Sequence, residues 1–71
     1  MDISAMCNKL VKARGNKTQK AVSDEIGISQ SALNMYENGE RVPRDEVKER
    51  IAAYYGMTVG LLFFNEKVHE A

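Results

Sequence analysis

Few side chains in this sequence are placed for covalent chemistry. Cys7 has no histidine or other base near it in the sequence to draw off its proton, so it reads as a small buried hydrophobe. His69 stands alone in the last residues and reads as solvated. Asp45 and Glu46 are paired acids, but neighbours on a helix diverge by about 100°, which leaves them as partners for a helix dipole. One cysteine and one histidine exclude an internal disulfide and the usual zinc patterns. What remains is hydrogen-bonding chemistry, carried by the amides of Gln19, Gln30 and Asn34 and the hydroxyl of Ser31. Beside it lies a basic run, Lys9, Lys12, Arg14, Lys17 and Lys20, with no acid among those twelve residues. Such a run suits phosphates, and equally suits a plain solvated helix face.

Two short helices position those amides. Val22 and Ile26 lie four apart within Gln19 to Ile26, and Leu33 and Tyr36 lie three apart within Gln30 to Asn38. Both are helical spacings with one apolar face. Between them, Gly27 can take the positive φ that stops the first helix and Ser29 can cap the second. Two capped helices meeting at a three-residue turn cross steeply, the helix-turn-helix arrangement in which the second helix can enter a DNA major groove. With Leu33 and Tyr36 inward, Gln30, Ser31, Asn34 and Met35 point out. Gln30 can bond adenine through two atoms, Ser31 is an adaptable donor or acceptor, and Met35 can lie against a thymine methyl. Elsewhere an exposed Gln-Ser pair would be ordinary surface.

The flanking chain completes an all-α pattern. Ile3, Met6, Leu10 and Ala13 recur at intervals of three and four, which predicts a helix over about residues 2 to 14, ended by Gly15-Asn16. Asn38-Gly39 signals a turn. After Pro43 a fourth helix places Val47, Ile51 and Tyr54 or Tyr55 on its core face and stops at Gly56. Thr58 can cap a last helix from Val59 to Phe63 or Phe64. Leu61 to Phe64 are more apolar than one small core requires. Leu61 and Phe64 are therefore candidates for self-association, against simple burial under helices one and four.

Thr18-Gln19, Val22, Ile26-Gly27, Ser29-Gln30-Ser31, Leu33 and Tyr36-Glu37-Asn38-Gly39, continued by Pro43, Ile51-Ala52 and Gly56, resemble the lambda-repressor-like (XRE/Cro-type) helix-turn-helix domains. The resemblance runs over roughly residues 8 to 64. Two departures are Ser23, where the family usually has alanine at the helix crossing, and the short Arg14 to Lys17 link. The resemblance implies a five-helix DNA-binding domain over residues 1–64, followed by a tail at 65–71. Gln30, Ser31 and Met35, with Asn34 as a fourth, would read base edges. Lys17, Gln19, Lys20, Ser29, Asn38, Arg41 and Arg44 would meet the sugar-phosphate backbone. In this family Gln19 grips phosphate and braces the next helix. Glu37 pairs with a basic residue late in helix one, here Arg14 first and Lys12 second.

Composition sets the outer bounds. Seventy-one residues allow one domain, and ten basic against ten acidic residues give a net charge of zero. No apolar run approaches the ~20 residues that span a bilayer, and no signal peptide is visible, so the expected location is the cytoplasm. The expected function is a sequence-specific double-stranded DNA-binding transcriptional regulator, a repressor of phage or mobile-element type, acting as a homodimer. No cofactor, small-molecule substrate or enzymatic activity is expected. The alternative is a protein-interaction module such as an antitoxin or adaptor, which the neutral charge and the apolar C-terminal end favour.

Overall fold

The computed structural model describes residues Asp2 to Phe64. The expected tail at 65–71, with His69, lies outside the described residues. Five helices and no strand occupy the described residues: α1 (Ile3–Arg14), α2 (Gln19–Ile26), α3 (Gln30–Asn38), α4 (Asp45–Tyr54) and α5 (Val59–Phe63).

Local sequence sets where each helix starts. Oδ1 of Asp2 accepts from the Ala5 amide at 3.1 Å, Thr18 Oγ1 from Ala21 at 3.1 Å, Ser29 Oγ from Ala32 at 3.0 Å and Thr58 Oγ1 from Leu61 at 3.0 Å. Each such bond satisfies an amide that the helix leaves unpaired and stabilises the start by about 1 kcal/mol. α4 has no side-chain cap at Arg44 and begins instead with Asp45 and Glu46, whose charge complements the helix dipole.

Every helix contributes to one core. Met6 and Leu10 of α1 meet Val22 and Ile26 of α2, Leu33 and Tyr36 of α3, Ile51 and Ala52 of α4, and Leu62 and Phe63 of α5. α1 packs on α3 and α5, α2 on α3 and α4, and α4 on α5. α3 is thereby held from two sides, which fixes the direction of its outer face. The stripe expected on α1 is only partly inward: Ile3 stays 45% exposed, lying over Gly39 at the end of α3 instead of entering the core. Of the two terminal phenylalanines, Phe63 is buried and Phe64 is half exposed. Ser23 is fully buried at the α2 crossing, where its hydroxyl donates to the Lys20 carbonyl at 3.0 Å. That bond offsets the cost of a polar group where alanine would need none.

Candidate nucleic-acid interface

The turn between α2 and α3 determines how α3 is aimed. Gly27 has φ 88°, a left-handed conformation, and its amide bonds back to Ser23, so α2 ends abruptly. Ile28 also donates to the Ser23 carbonyl, at 3.0 Å, before Ser29 caps α3. Arg50 of α4 then reaches across and donates through Nη2 to the carbonyls of Ile26 and Gly27, the latter at 3.2 Å. A cation on the last carbonyls of a helix complements both unpaired acceptors and the dipole. Arg50 had no signal in the sequence, because its targets lie 23 and 24 residues upstream.

On α3, Leu33 and Tyr36 are buried as their spacing predicts, and Gln30, Ser31 and Asn34 are exposed. Met35 is half-buried and Asn38 exposed at the end of the same helix. With about 100° between successive residues, Gln30, Asn34, Asn38, Ser31 and Met35 form one continuous outer strip, opposite Leu33 and Tyr36. The side chains expected at base edges therefore share a face.

Behind that strip is a polar anchor. Arg14 donates through Nε to Glu37 Oε2 at 2.8 Å and through Nη2 to Oε1 at 3.0 Å, a fork on a carboxylate whose side chain is only 3% exposed. The hydrogen bond to Glu37 is the main reason the Arg14 guanidinium is held above its usual pKa. Arg14, not Lys12, is the partner that the sequence left open. Gln19 Nε2 joins the same carboxylate, donating to Oε1 at 3.0 Å, and also donates to Asn34 Oδ1 at 3.3 Å. Tyr55 lies close to this pair. Its hydroxyl is buried without a hydrogen-bond partner among the described residues, and burial, with Glu37 second, pushes its pKa up to about 12.

Comparison with known proteins agrees with this geometry: a helix-turn-helix family model matches residues 9–62 of the chain. The chain belongs to the lambda-repressor-like helix-turn-helix family. No curated protein and no solved structure matches it. Membership makes the chain a DNA-binding helix-turn-helix regulator.

In this helix-turn-helix domain the basic run is largely engaged within the protein. Lys9 Nζ donates to the Leu61 carbonyl at 2.8 Å and so holds α5. Lys17 Nζ donates to the Tyr54 hydroxyl at 3.1 Å and lies 3.8 Å from Glu25, and its pKa is raised first by Tyr54 and then by Glu25. Tyr54 in turn donates to Glu25. Lys20 pairs with Asp24 at 3.1 Å along α2, with both side chains mostly in solvent. Arg41 and Arg44, after α3, are exposed, and their side chains make no hydrogen bond or ion pair among the described residues. Leu61 is half-buried, and the Phe64 ring lies 4.7 Å from the ammonium of the buried Lys48. No helix among the described residues is long and apolar enough to cross a membrane.

Proposed function

We propose that the domain reads a specific duplex sequence with the outer strip of α3, binds as a homodimer, and acts as a transcriptional repressor of phage or mobile-element type. The supporting observation is the division of polar side chains on α3. Glu37 is consumed internally by Arg14 and Gln19, whereas Gln30 and Ser31 sit exposed on the first turn with no internal partner among the described residues. Polar groups at the start of a helix that enters a major groove are the ones that reach base edges. Ser29, Asn38, Arg41 and Arg44, at the ends of α3 and in the loop after it, are assigned to phosphate, together with Lys17, Lys20 and the backbone N–H of Gln19 at the start of α2, whose side-chain amide hydrogens go to Glu37 and Asn34. Lys17 and Lys20 would exchange their present carboxylate partners for phosphate. Both ion pairs are solvent-exposed and so are worth little.

The test compares reading with positioning. Gln30→Ala should lower discrimination at one base pair by about 1–3 kcal/mol and leave non-specific binding and its salt dependence unchanged. Arg41→Ala should weaken all sequences alike and reduce the salt slope by about one. The measurement is a titration of each variant against a selected and a scrambled duplex at several salt concentrations. Unchanged preference in Gln30→Ala would overturn the placement of α3.

A second reading, a protein-interaction module of antitoxin or adaptor type, draws support from zero net charge and from the exposed apolar side chains of Ile3, Val11, Val42 and Phe64. Under that reading, selection from random duplexes enriches no sequence.

A further inference from the structure

We infer that Asn34 is a specificity-determining residue that selects guanine, and that Gln19 is the positioning residue that imposes this choice. The inference rests on the DNA-reading function proposed above. An unconstrained asparagine prefers adenine, because its amide can donate to N7 through Nδ2 while accepting from N6 through Oδ1. That pairing needs both ends of the amide turned to the base.

A chain of hydrogen bonds removes that freedom. Glu37 takes two bonds from the Arg14 guanidinium and presents Oε1 to Gln19 as an acceptor. The end of the Gln19 amide facing Glu37 is therefore its NH₂ group, at 3.0 Å. The same nitrogen has a second hydrogen, which meets Asn34 at 3.3 Å. The atom of Asn34 facing it must accept, so it is Oδ1, since the reverse orientation would set two donors against each other. Asn34 is exposed, and its remaining NH₂ group is the part left for the groove.

An amide restricted to donating distinguishes the four bases. Guanine presents two adjacent acceptors, O6 and N7, to such a group. Adenine sets its N6 donor beside N7, cytosine presents the N4 donor, and thymine flanks O4 with its methyl group. Guanine is the one edge that offers a donating amide two acceptors side by side, where thymine offers a single acceptor beside a methyl group. Gln19 is thereby occupied as well, with both hydrogens committed within the protein, so its contribution is to hold Asn34.

The experiment is selection of wild-type binding sites from random duplexes, then competition titrations with duplexes differing only at the position whose preference Asn34→Ala erases. The wild-type protein should favour guanine over adenine there by about five- to 150-fold, the usual value of one good base contact. Gln19→Met keeps the side-chain length and removes the donors, and should bring the guanine-to-adenine ratio to one or below, toward the adenine preference of a free asparagine, while the preference at the Gln30 position persists. Asn34→Asp, an isosteric change on an exposed residue, should turn the preference to cytosine because a carboxylate only accepts. It tests the inference even if Gln19→Met weakens the fold. Adenine preference in the wild type, an unchanged ratio in Gln19→Met with the fold intact by thermal melting, or no turn to cytosine in Asn34→Asp overturns the inference. If a Gln30-dependent position is enriched but no Asn34-dependent one, the inference fails and the DNA-reading function stands. No enriched sequence at all overturns both.

Discussion

Arg14 in the last turn of α1 and Glu37 in the last turn of α3 form a two-bond fork at 2.8 and 3.0 Å, joining the ends of two helices 23 residues apart. The carboxylate is buried, whereas the guanidinium side chain remains 20% exposed. Removing one partner of a fully buried pair costs about 3–5 kcal/mol, since a charge is left without its counter-charge. With Arg14 partly in water, Arg14→Ala should fall near the lower end of that range. Glu37→Ala should cost less than Arg14→Ala, because the stranded guanidinium can turn to solvent. Urea denaturation of both single variants and the double variant provides the check, and additive effects would sink the coupling.

The turn should be equally sensitive at Gly27. Any side chain there pays for the φ of 88°, and a Cβ would collide with Nη2 of Arg50, displacing it from the Ile26 and Gly27 carbonyls. Gly27→Ala should destabilise by about 1–3 kcal/mol, combining the left-handed strain with the lost bonds. Gly56→Ala, at φ 67° with open space around it, should cost only the strain. In an Arg50→Ala background the Gly27 substitution should cost less than it does alone, and equal costs in the two backgrounds would refute the clash.

Tyr55 predicts a pH effect of definite sign. Its folded pKa is about 12, above the ordinary value near 10, so between these values the folded state binds more protons than the unfolded state. Stability from this group is complete below pH ~10 and is lost as pH rises toward 12. Tyr55→Phe removes both the titration and a buried hydroxyl that has no partner among the described residues. It should be neutral to stabilising at neutral pH and should flatten the alkaline loss relative to the wild type. Thermal melts of the two proteins from pH 8 to 12 test this, and parallel curves would contradict it.

Dimerisation is predicted through Leu61 and Phe64. One recognition helix covers few base pairs, so two copies should occupy half-sites about 34 Å apart. Phe64 is 50% exposed at the end of α5, and Leu61 is half-buried one turn earlier. Leu61→Asp with Phe64→Asp should reduce the DNA-bound stoichiometry from two protomers to one and weaken binding at least tenfold, about 1.4 kcal/mol. Native mass spectrometry of the complexes decides it. A variant that still binds as a dimer eliminates this surface.

The sequence by itself determined the elements whose signals are local. Caps at Thr18, Ser29 and Thr58 and the stop at Gly27 are governed by atoms three or four residues away, so composition and spacing suffice to place the helix boundaries. The inward turn of Leu33 and Tyr36 follows from the helical period in the same way, and with it the exposed position of Gln30 and Ser31. Arg14 and Glu37 were legible only through family resemblance. What tertiary structure alone decided was the use of long polar side chains, because a lysine or arginine can reach partners in several directions. The basic run looked ready for phosphate, yet Lys9 and Lys17 bond to the Leu61 carbonyl of α5 and to Tyr54 of α4 respectively. Arg50 on the turn carbonyls and Gln19 between Glu37 and Asn34 likewise depend on how the helices pack, which no spacing along the chain encodes.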